Sequence, residues 1–129
     1  MAANSPGKGI LFTGQASTNP LATAAFSVGQ LQQASFHIRT DGAAAISYTL
    51  QATNVPDQSS EQGPPFRNDN ASSPDWAVVQ TGTVSANAAG SAGIVTANYT
   101  PYRAMRIVFT AASGTPIVNV FAFGTGAAS

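Results

Sequence analysis

Hydrophobic and polar residues alternate along much of this chain. Across residues 44–54, Ile46, Tyr48, Leu50 and Ala52 share one parity while Ser47, Thr49, Gln51 and Thr53 share the other. Side chains of a strand point alternately to its two faces, so this period of two predicts a strand with one buried and one exposed side. Residues 102–110 repeat the pattern: Met105, Ile107 and Phe109 share a face, and Arg103 has their parity but sits at the strand start, within reach of solvent. Within 31–40, Phe36 and Ile38 oppose His37 and Arg39. Shorter runs predict strands at 10–13, 76–81 and 117–123. Residues 21–28 read as a further strand, although the small residues at 22–25 also suit a helical turn. Residues 83–88 and 94–99 read as a hairpin around the tip Ala89-Gly90-Ser91-Ala92-Gly93.

Turn residues punctuate these runs. Asp41-Gly42 is a hairpin-type turn, and Pro56, Pro64, Pro65 and Pro74 exclude regular structure from 55–75. About eight short strands without a convincing helix predict an all-β fold, an antiparallel β-sandwich of jelly-roll type. The expected organisation is an extended N-terminal arm at 1–9, a single sandwich domain at 10–124 and a short tail at 125–129.

Composition changes the picture from fold to role. Of 129 residues, five are Lys or Arg and five Asp or Glu, or 8% charged, against about 25% in an ordinary domain. Ala, Gly, Ser and Thr fill nearly half the chain instead. Such a surface is thin and neutral, costs little to desolvate, and reads as built to be covered. The residues from Thr81 to Tyr102 carry no charge, so the covering is expected at the second hairpin. Zero net charge removes the main driving force for nucleic acid or an anionic membrane. There are no cysteines, and no apolar run is long enough to span a bilayer. Met1 to Lys8 lacks the layout of a signal peptide, so an intact product of the cytoplasm is expected.

Candidate chemistry is sparse. Ser35, His37 and Asp41 are formally a serine, a histidine and an acid, but along a strand they form a row and do not converge as a triad. No residue set supports an enzyme, and no cofactor is expected. Asp57, Glu61 and Asp69 in the long loop are weak candidates for calcium, weighed against a solvated loop or a polar intersubunit contact. Trp76, Phe66, Tyr99 and Tyr102 are weighed as an aromatic platform for sugar, against a core role in which Trp76 caps the sandwich. Partner contacts are expected at Ile10 beside the arm, at Phe66 and Arg67 in the loop, and at Ala89, Gly90, Ser91 and Gly93 in the hairpin tip.

Three segments follow one another in order: Ile46-Ser-Tyr-Thr-Leu-Gln-Ala-Thr-Asn54, Asp75-Trp-Ala-Val-Val79 and Tyr102-Arg-Ala-Met-Arg-Ile-Val-Phe-Thr110. Ser113-Gly-Thr115 and a closing strand come after them. The series resembles small β-sandwich virion structural proteins of tailed bacteriophages, of the capsid decoration or cement type. It has a weaker likeness to galactose-binding-like (discoidin) jelly rolls, whose sugar-binding loop residues have no counterpart here. The resemblance implies a non-enzymatic virion protein that clamps an assembled capsid. Its expected partners are the major capsid protein or other virion proteins and further copies of itself, with a trimer at a lattice three-fold as the guess. The alternatives are a carbohydrate-binding or receptor-binding module of a phage tail, and a tail or neck component.

Overall fold

The alternating stretch at Ile46 does form a central strand, and its neighbours fix the architecture. The computed structural model describes residues 8–23, 25–28, 31–40, 44–55, 73–85, 91–97, 100 and 102–126. Among them run nine strands: β1 (Lys8–Gln15), β2 (Leu21–Ala22), β3 (Phe26–Ser27), β4 (Gln33–Thr40), β5 (Ile46–Thr53), β6 (Ala77–Val84), β7 (Ser91–Ala97), β8 (Ala104–Ala111) and β9 (Ile117–Thr125). One sheet has the order β1-β9-β4-β7; the other has the order β2-β8-β5-β6, with β3 also pairing β8. Every pairing is antiparallel. Counted as one interrupted strand, β2 and β3 leave eight strands in two sheets of four. Chain neighbours lie in opposite sheets except where β5 meets β6. This is the jelly roll that the alternation predicted.

Several expected boundaries shift. Lys8 and Gly9, assigned to the arm, already pair with Gly124 and Phe123, so β1 starts two residues before 10. The run expected at 76–81 and the start of that expected at 83–88 join in the single strand β6, which continues through Gly82 to Val84; residues 86–88 lie outside the described residues. The expected hairpin does not form a two-stranded ladder: β6 bonds to β5 and β7 to β4, in different sheets. A period of two says which face a side chain takes but not which strand lies alongside.

The core fills the space between the sheets. Phe36, Ile38, Val118 and Val120 from the first sheet meet Ile46, Leu50, Met105, Ile107 and Phe109 from the second. Two edge-to-face pairs lock it, Phe26 on Phe36 at 6.0 Å and Phe12 on Phe109 at 5.9 Å between ring centroids, a geometry favoured by ring quadrupoles.

The interrupted strand repairs its own gap. Thr23, between β2 and β3, donates its N–H to the Ile107 carbonyl at 2.8 Å. Its Oγ1 accepts the Ile107 N–H at 3.1 Å. A side-chain oxygen thus replaces a backbone carbonyl, and a buried donor stays satisfied where the ladder breaks. The strand expected at 21–28 is present as two short pieces, β2 and β3, both paired with β8.

Candidate functional site

The outer face of the β1-β9-β4-β7 sheet is built from the residues that the core does not use. Since Phe36 and Ile38 point inward, Ser35, His37 and Arg39 point outward. Register then sets their neighbours: His37 lies between Ile94 and Phe121, Ser35 between Thr96 and Phe123, and Arg39 between Ala92 and Asn119. Ile94 is 67% exposed, Phe123 51% and Ile117 42%. Ile94 and Phe123 flank a groove of about 320 Å³ whose polar lining is Gln33, Ser35, Thr96 and Thr125. Covering two such side chains would contribute about 3 kcal/mol.

Charge on this face is scarce and muted. Among its residues with described side chains, Arg39 carries the one formal charge, and its guanidinium stacks 5.1 Å from the centroid of the Phe121 ring. The His37 ring tilts against the same phenyl at 5.8 Å. Phe121 therefore holds both basic groups down along the sheet, where their stems and planes add to the apolar surface. Ser35 and His37 run along β4 one after the other, as a strand requires, and Asp41 lies outside the described residues.

A second polar feature lies on the outer face of the other sheet. Arg106 is fully buried there. Its Nε donates to Gln51 Oε1 at 2.8 Å, and its guanidinium sits 4.5 Å from the centroid of the Trp76 ring. Burial lowers its pKa, and the Asp75 carboxylate acts in the opposite sense. Among the described residues no buried side-chain nitrogen or oxygen lacks a partner, so the guanidinium is satisfied. Trp76 is itself buried, outside the core cluster between the sheets. It covers Arg106 and presents no open ring to a sugar. The polar face of β5 is correspondingly not all exposed, because Gln51 and Thr53 are buried at this end.

The expected contact residues scatter. Ile10 pairs with Ala122 in the register of β1. Ser91 and Gly93 belong to β7 and not to a tip, opposite Thr40 and Ile38. Ile38 is fully buried, so Gly93 faces the interior, where a Cβ would come within 3.3 Å of Val84 Cγ2. Phe66, Arg67, Ala89 and Gly90 lie outside the described residues, as do Tyr99 and the calcium candidates Asp57, Glu61 and Asp69. Among the described residues no three potential metal ligands cluster, and no helix is long and apolar enough to cross a membrane. Sequence reading missed Ile94, Ile117 and Phe123. The signal was present in β9, where the large Phe121 and Phe123 alternate with the smaller Val118, Val120 and Ala122.

No protein-family model matches this chain, and no curated protein matches it in sequence. Among solved structures it is similar to a chain from Bacillus endospore appendages, described as a novel family of disulfide-linked pili. That likeness has a TM-score of 0.57 at 11% identity and covers 96% of this chain and 88% of the other. It concerns the fold.

Proposed function

We propose that this chain is a non-catalytic structural subunit of a protein particle, a capsid decoration (cement) protein of a tailed phage, made in the host cytoplasm and resident in the virion. It works by laying the outer face of the β1-β9-β4-β7 sheet against an assembled shell. The observation that supports this reading is the pair Ile94 and Phe123, exposed on either side of a groove in a face nearly without charge. Large apolar side chains left exposed on one face mark sites of protein association. The small, neutral lining can be desolvated without stranding a charge. The partners on this reading are the shell protein and further copies of the chain. A subunit that binds the assembled shell and not its free components stabilises the shell by mass action.

The test adds purified chain to shells that lack it and follows their thermal disruption. The reading expects a higher disruption temperature with the native chain and none of that gain with Ile94→Asp or Phe123→Ser. Equal disruption temperatures with and without the native chain would refute it.

A second reading has its own support. The similarity to a pilus chain spans 96% of this sequence, and a jelly roll with a neutral face suits stacking along a filament as well as clamping on a shell. Pili described as disulfide-linked would need a different joint here, since this chain has no cysteine. Electron microscopy of the source particle separates the two, by density on a shell or along a fibre.

A further inference from the structure

Among the described residues no strand pairs with the outer edge of β6. Natural sheets blunt an exposed edge with charge, proline, a very short strand or a covering element. Here β1 begins with Lys8, and β2 and β3 have two residues each. Among the described residues strand β6 pairs with β5 alone, and it has neither a charge nor a proline in its eight residues. A bulge opposite Leu50 and Gln51 leaves Val79 without a register partner, and Val78 and Val79 stand 54% and 41% exposed. Beyond the bulge, residues 80–84 are regular: Gln80 to Val84 match Leu50 to Ile46 without a shift.

We propose that residues 80–84 of β6 pair antiparallel with the same residues of a second copy of this chain, about a two-fold axis at Gly82. The occupant follows from the strand itself. An antiparallel copy presents the hydrogen-bonding pattern that the first copy needs, and a two-fold contact uses the same patch on both subunits. The axis sets Thr81 opposite Thr83 of the second copy. Both lie on the exposed outer face of the sheet, matched with Thr49 and Ser47 on β5. Threonine pairs of this kind favour cross-strand contact. Gly82 at the axis has no side chain of its own, and the Tyr48 ring packs over it. No charged residue occurs between Trp76 and Tyr102, so the β6 strands themselves bring no like charges to the axis. The product is a continuous sheet in the order β2-β8-β5-β6-β6-β5-β8-β2. Its contact is smaller than a standard interface, so the pairing is concentration-dependent. The proposal does not rest on which particle the chain builds.

Sedimentation of the full chain over a concentration series is the test. The expected result is a rise from the 13.0 kDa monomer to twice that mass. The doubly substituted Thr81→Lys, Thr83→Lys chain should stay at the monomer mass at every concentration, with unchanged circular dichroism and melting. A native chain that stays monomeric, a trimer, or a lysine variant that still dimerises would each overturn the proposal. Because the chain has no cysteine, a second arm fixes the register without adding charge. Thr81→Cys and Thr83→Cys chains should form disulfide-linked dimers when mixed and oxidised, and far fewer when either is oxidised alone. Equal cross-linking in the unmixed samples would overturn the axis at Gly82. Ile94→Asp lies on the other sheet, so loss of shell binding and loss of this pairing are read separately.

Discussion

Arg106 and Trp76 form a stacked pair on the outer face of a sheet, with the guanidinium 4.5 Å from the indole ring centroid and neither side chain open to water. Trp76 stands immediately before β6. The stack, with the hydrogen bond to Gln51, therefore fastens the start of β6 to β8 and β5. Arg106→Ala removes the donor to Gln51 and the ring's partner together. It should lower stability by about 3 kcal/mol, the range for breaking a buried charged network. Arg106→Lys keeps the charge but not the plane, and should recover only part of the loss. Chemical denaturation of the three chains at neutral pH checks both values.

Thr23 offers a sharper comparison, because its hydroxyl oxygen stands in for a backbone carbonyl. In Thr23→Val the shape survives and the acceptor for the Ile107 N–H is lost. The expected cost is about 1–3 kcal/mol, with faster amide exchange at Ile107. Thr23→Ser keeps the oxygen and should hold that amide protected.

At Gly82 the neighbouring strand has claimed the space that a side chain would need. A Cβ there would fall on the Tyr48 hydroxyl and ring. Tyr48 thus packs across the strand onto a bare backbone, as aromatics do beside glycines in sheets. Gly82→Ala should destabilise the fold by about 1–3 kcal/mol. Pairing it with Tyr48→Ala should cost less than the sum of the two single changes, a coupling that a double-mutant cycle measures.

The outer face of the first sheet should behave oppositely to the core. Leu50→Ala empties a fully buried site and should cost about 2–5 kcal/mol. Ile94→Asp, at a position 67% exposed, should shift stability by less than about 0.5 kcal/mol. Melting curves give both values, and the solubility of the Ile94→Asp chain should rise.

What the alternation conveyed was facing. Met105, Ile107 and Phe109 are buried together as their shared parity requires, and His37 and Arg39 point away from Phe36 and Ile38. What it omitted was partnership. Nothing local in β6 and β7 shows that they belong to different sheets, because either ladder satisfies the same period. The Arg106 cluster was hidden for a related reason. Gln51 is 55 residues away along the chain, and parity shows that Arg106 faces away from Met105 and Ile107 but not what covers it. The break between β2 and β3 was closer to legible, in the run of small residues after Leu21, but the role of Thr23 depends on β8 lying alongside.

The pairing of β1 with β9 places Lys8 opposite Gly124 and Gln15 opposite Ile117. The ladder cannot begin until more than a hundred residues have been ordered or bridged as a loop, which puts this topology among the slow folders. Synthesis makes the mismatch worse, since β1 leaves the ribosome about a hundred residues before its partner β9 is made. The sequence Ile10-Leu-Phe12 must wait without its mate until β9 has been made. It is the point at which a nascent chain of this protein would be caught by a chaperone or by another unfinished copy.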